Sequence, residues 1–139
     1  MLEEKRILGI DYGLKRIGLA LTDPLETFAY PLKTISNDKN LFNELAVLIK
    51  EKNVVKIILG IPSENNDKNS IISNRIKSFQ EQLVKKFSIE IILWDEGYTS
   101  VLAKQRVIES VNKKSKRMNK GLLDSNSAAI ILQEYLDQK

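Results

Sequence analysis

The chain contains no cysteine and no histidine in 139 residues. Without them there is no thiolate nucleophile, no imidazole base and no Ser-His-Asp or Cys-His triad. Thiolate or imidazole zinc sites and iron–sulfur clusters are excluded on the same ground. Acid–base or metal chemistry must therefore run on carboxylates, lysine, tyrosine, hydroxyls or backbone groups. A protein metal site would need oxygen ligands, which suit Mg²⁺ or Mn²⁺. Proline is sparse, at three residues. No apolar run approaches the ~20 residues of a membrane span. The start, Met-Leu-Glu-Glu-Lys-Arg, is charged and carries no signal segment. A cytoplasmic protein is expected.

What is present suits one domain over residues 1–139, because domains usually run ~100–200 residues. Apolar residues make up 42% and charged residues 29%, enough of each for a buried core and a solvated surface. The formal charge of +4 is a weak pointer to a polyanionic partner. Apolar runs at Ile7–Ile10, Ile17–Thr22 and Ala29–Ile35 read as three strands, the first two close enough for a hairpin. Pro31 places the third at an edge or a bulge. Leu41, Leu45, Leu48 and Ile49 fall on one helical face. Val54–Leu59 is nearly continuous and apolar, as in a strand covered on both sides. Ser63–Asn69 reads as a loop. Ile72, Ile76, Phe79, Leu83 and Phe87 then mark a helix, Ile89–Trp94 a fifth strand, Thr99–Val111 a helix, and about Asp124 to Leu136 a last helix. This order predicts an α/β fold: a mixed five-stranded sheet, with strands 1–3 antiparallel followed by parallel crossovers, flanked by helices.

The acids fall informatively on this frame. Asp11 ends the first strand, and Asp95 and Glu96 end the fifth. In parallel strands these ends share one edge, where open α/β sheets bind ligands. Alternation allows only one of Asp95 and Glu96 to share a face with Asp11. Asp124 lies four residues before Ala128, on the stripe of the last helix that should face the sheet. It is also a good capping residue for a helix beginning there. Converging carboxylates repel one another unless cations hold them. Two Mg²⁺ or Mn²⁺ ions would balance the charge and clamp a scissile phosphodiester, a hydrolysis that needs no histidine.

Leu8-Gly9-Ile10-Asp11-Tyr12-Gly13, Lys15-Arg16-Ile17-Gly18-Leu19-Ala20 and Thr22-Asp23-Pro24 resemble the opening of the YqgF family. Leu59-Gly60-Ile61-Pro62, Trp94-Asp95-Glu96 with Thr99, and Gly121-Leu122-Leu123-Asp124 with Ala128-Ala129 resemble its later segments. These are RNase H-like proteins described as Holliday-junction resolvases or pre-16S rRNA nucleases. The resemblance implies an RNase H-like fold and a catalytic, metal-binding site at Asp11, Glu96 and Asp124. It selects Glu96 over Asp95. Two positions depart from the family pattern: Gly97 stands where arginine is usual, and Tyr98 where a smaller apolar residue is usual.

Lys113, Lys114, Lys116, Arg117 and Lys120 form a basic run just before Asp124, suited to nucleic-acid phosphates. Lys15 and Arg16, soon after Asp11, are a second phosphate contact. Gly9, Gly13 and Gly18 also suit a phosphate-binding hairpin of actin-like ATPases, but the chain has no room for their second lobe. The reading is a divalent-metal nuclease of structured RNA, trimming the 5′ end of pre-16S rRNA in ribosome biogenesis. The alternatives are a Holliday-junction endonuclease and a non-catalytic nucleic-acid-binding or ribosome-assembly module. No heptad seam is evident, which favours a monomer over the dimer that symmetric junction cleavage needs.

Overall fold

The computed structural model describes residues 4–62, 67–95 and 120–138. The strands are β1 (Arg6–Tyr12), β2 (Arg16–Thr22), β3 (Ala29–Ser36), β4 (Val54–Ile61) and β5 (Glu90–Asp95). The helices are α1 (Leu41–Glu51), α2 (Asp67–Lys86) and α3 (Lys120–Gln138). The strands form one sheet in the order β3-β2-β1-β4-β5. β1 pairs antiparallel with β2, and β2 with β3. β1 runs parallel to β4, and β4 to β5. The expected mixed five-stranded sheet is therefore present. The helix expected over Thr99–Val111 lies outside the described residues.

Alternation along the strands makes two cores. On one face Leu8, Ile10, Ile17, Leu19, Ile57 and Leu59 pack with Leu41, Leu45 and Leu48 of α1 and Ile76, Phe79 and Leu83 of α2. On the other, Ile7, Ala20 and Ile58 pack with Ala128, Ile131, Leu132 and Leu136 of α3. Each fully buried leucine or isoleucine contributes about 1.5–3 kcal/mol by leaving water. β1 and β4 are covered on both faces, which is why Val54–Leu59 shows no polar alternation. Pro31 lies on the edge strand, and the β2–β3 register shifts between Leu19 and Ala20, leaving Leu32 as an extra residue beside it. α1 ends where Asn53 takes φ 52°, a left-handed conformation that asparagine tolerates.

Two expectations are corrected. Residues 67–69, read as loop, form the first turn of α2. Apolar periodicity begins only at Ile72, so a polar opening turn leaves no pattern to read. Asp124 is not the N-cap of the last helix. That helix begins at Lys120, one turn earlier, and Asp124 lies within it.

The β2–β3 connection is built on Asp23. Its carboxylate accepts hydrogen bonds from the backbone N–H groups of Phe28 (2.6 Å), Thr27 (2.8 Å) and Leu25 (3.2 Å). These bonds, that of Phe28 foremost, hold the carboxyl below its ordinary pKa of 3.8. A depressed native pKa stabilises the fold above the unfolded value and loses that contribution as pH falls through the native one. Asp23→Asn should therefore lower the urea midpoint at pH 7. The gap from wild type should close below about pH 3.8, as urea titrations at the two pH values would show. A gap that persists unchanged at pH 2–3 would mean the charge is not what braces the loop.

Candidate active site

Asp11 is half-buried near the C-terminal end of β1, on the face covered by α3, because it alternates in phase with Ile7 and Gly9. Its neighbours across the sheet are glycines. The β1–β2 register places Gly18 opposite Asp11. One step past the Ile10–Leu59 pair, the β1–β4 register brings Gly60 alongside. Neither neighbour presents a side chain next to the carboxylate. Farther along the same row, Gly60 pairs with Trp94 of β5.

The course of α3 is fixed by contacts at two heights. Near its C-terminus the Lys56 ammonium donates to the Tyr135 hydroxyl at 3.0 Å, and Lys56 is the register partner of Ile7. That bond, with help from Glu90, raises the Lys56 pKa above its ordinary value. The Tyr135 ring meets Trp94 edge-on, with centroids 5.8 Å apart. Two residues farther along β1, Gly9 lies against Ala128 and Leu132. The helix thus runs antiparallel to β1. Two strand residues advance about 6.8 Å, or about 4.5 residues of helix. The next such step brings Asp11 level with the turn that contains Asp124. The backbone therefore places Asp11 and Asp124 on one face and at one edge of the sheet.

The β1–β2 hairpin at this edge is tightly held. A β-carbon on Gly13 would run into the Arg16 carbonyl oxygen, so the turn requires glycine there. The Asn37 side chain donates to the Gly13 carbonyl at 2.8 Å, and the Asn37 N–H donates to the Lys15 carbonyl at 2.9 Å. Lys15 is exposed at this edge, and Arg16 alternates onto the Asp11 face. Lys120 starts α3 at the same edge. Glu96, Lys113, Lys114, Lys116 and Arg117 lie outside the described residues. Asp95 is in phase with Ile91 and Leu93, which pack on the opposite core. Ile92 and Trp94 pack on the side of Asp11. Asp95 is thus on the wrong face to join Asp11. Asn37 was not singled out from sequence; a lone asparagine between a strand and a helix carries no pattern.

A mixed sheet of this order, with helices on both faces, is the RNase H-like fold. Solved structures share the fold. A Thermus thermophilus RuvC in complex with Holliday junction substrate superposes with a TM-score of 0.61 at 10% identity, covering 96% of this chain and 94% of that one. The fowlpox virus Holliday junction resolvase gives 0.53 at 17% identity, covering 96% and 99%. A family model described as "RuvX: Holliday junction resolvase" matches residues 5–138. The chain belongs to this RuvX family, the YqgF family of the sequence resemblance. Among similar curated proteins, one from Amoebophilus asiaticus is 45% identical over 94% of this chain and 93% of its own length. One from Bacteroides thetaiotaomicron is 39% identical, over 96% and 97%. Both are named "Putative pre-16S rRNA nuclease".

Asn37→Ala should cost about 1 kcal/mol, the net value of one hydrogen bond. It should also speed amide exchange at residues 13–16 more than elsewhere, read by hydrogen-exchange mass spectrometry. Uniform exchange across β1 and β2 would contradict its role as the hairpin brace.

Proposed function

We propose that the protein is a divalent-metal-dependent nuclease of structured RNA, trimming the 5′ end of precursor 16S rRNA. The observation that carries this reading is the backbone placement of Asp11 and Asp124 on one face and edge, with glycine on both sides of Asp11. Glu96, the acid that the family resemblance selects, is the proposed third member. The names of the curated relatives support precursor rRNA as substrate.

The donor set fits Mg²⁺ or Mn²⁺. Carboxylates are hard oxygen ligands, and the chain has no thiol or imidazole to favour a softer metal. Bound there, a pair of these ions would activate water for in-line attack and stabilise the leaving 3′-oxygen. The protein's own work is to hold the carboxylates at fixed separation and to keep the phosphodiester against them. Lys15, Arg16 and Lys120, with Lys113, Lys114, Lys116 and Arg117, would grip the backbone phosphates and make binding salt-dependent. A second reading, cleavage of four-way DNA junctions, is supported by the family description and would need a dimer.

Purified protein incubated with Mn²⁺, a precursor 16S 5′-end RNA and a synthetic four-way junction separates the two. Selective cutting of the RNA is expected; selective cutting of the junction would establish the second reading instead. Asp11→Asn should reduce cleavage about 100- to 1,000-fold, the scale of losing one electrostatic stabiliser of the transition state. Without metal it should melt no lower than wild type, because a repelling charge is gone. Full activity of this variant would end the assignment.

A further inference from the structure

Gly9 lies buried beneath α3, two residues before Asp11. A β-carbon built there would stand 2.9 Å from Leu132 Cβ and 3.1 Å from the Ala128 carbonyl oxygen. Ordinary contacts between carbon atoms are about 3.5–4.0 Å. Neither obstructing atom can swing away. Leu132 Cβ is fixed to the helix backbone, and the Ala128 oxygen belongs to it. A side chain at position 9 would therefore displace the helix itself, by several tenths of an ångström to about 1 Å. The neighbouring surface is built to the same scale. The register partner of Gly9 is Ala20, and Ala20 and Ala128 are both fully buried in this interface. Small residues on strand and helix let the two backbones approach closely.

The same close approach sets the height of Asp124. Asp124 is one helical turn from Ala128, and Asp11 is two strand residues from Gly9. A rigid helix lifted at Ala128 carries Asp124 with it. A misplacement of about 1 Å at a reacting centre costs on the order of 100-fold in rate.

We infer that Gly9 is a positioning residue for the nuclease reaction: its missing β-carbon seats α3 close enough to β1 to hold Asp124 within reach of the ions that Asp11 binds. Gly9 touches neither substrate nor metal and acts through the helix. This rests on the assignment of Asp11 and Asp124 to one metal site.

The test uses the 139-residue chain and four variants. Gly9→Ala adds the obstructing carbon. Leu132→Ala destabilises the same interface by a cavity while leaving Leu132's β-carbon and the Ala128 oxygen where they are. Gly9→Ala/Ala20→Gly conserves volume, so that it folds even if Gly9→Ala does not, but seats the helix toward β2. Asp11→Asn tests the assignment beneath. Two quantities are read: kcat and KM on the precursor RNA, and the rise in melting temperature with MnCl₂ alone. Gly9→Ala and the double variant should lose about 100-fold in kcat, with KM within threefold of wild type. They should need at least tenfold more Mn²⁺ for half the thermal shift. Leu132→Ala should melt lower yet keep kcat and its Mn²⁺ response within threefold.

The inference is overturned if Gly9→Ala, or the double variant where the single one does not fold, matches wild type in kcat and Mn²⁺ response. It is equally overturned if Leu132→Ala loses both as Gly9→Ala does, since stability alone would then explain the losses. Full activity and an unchanged Mn²⁺ shift in Asp11→Asn would instead remove the metal assignment, and the inference with it.

Discussion

The contact between Gly9 and α3 is the constraint that seats the closing helix on the sheet, and the candidate site depends on it. β1 lies in the middle of the sheet, so whatever sits above it is held from both sides. α3 meets β1 where a glycine and an alanine stand opposite alanine and leucine, and its far end is tied through Tyr135 to Lys56 and Trp94. Two contacts along one helix set its direction as well as its height. Asp124 is thereby positioned by backbone packing, although more than a hundred residues separate it from Asp11.

Around that contact, the sequence segments shared with the RuvX family divide into different physical jobs. Thr22 is buried, and its hydroxyl accepts the Ile7 N–H at 3.0 Å. Asp23 organises the connection that follows, at the edge of the sheet away from Asp11. Both lie at the end of the sheet opposite Asp11 and fix how β2 leaves it. Gly13 and Asn37 tighten the hairpin beside Asp11. The phosphate-binding interpretation of the early glycines has a simpler replacement. Gly9 admits a helix, Gly13 admits a turn, and Gly18 is the register partner of Asp11. A family motif can therefore mix residues that meet substrate with residues that only let backbones come close.

Much of this was legible from the chain alone, for reasons that differ by element. The strands and α1 announced themselves because their buried faces repeat at period two or at helical spacing, as at Leu41, Leu45 and Leu48. The start of α3 did not. Its first turn holds Gly121, a poor helix former, and carries no apolar periodicity that would extend the helix back from Asp124 to Lys120. The choice between Asp95 and Glu96 could not be made from parity without knowing which face Asp11 takes. The packing of Trp94 and Leu93 on opposite cores places Asp95 away from Asp11. The role of Gly9 was hidden for a related reason. A close approach across 119 or more residues of sequence, to Ala128 and Leu132, leaves no local pattern.

If packing at Gly9 delivers Asp11 and Asp124 to one shared ion site, anomalous diffraction from crystals grown with Mn²⁺ should show a manganese peak at the C-terminal end of β1, bound by oxygens of both residues. Manganese found only elsewhere, or bound there with the two carboxylates too far apart to share it, would mean that Gly9 does not bring the two acids together.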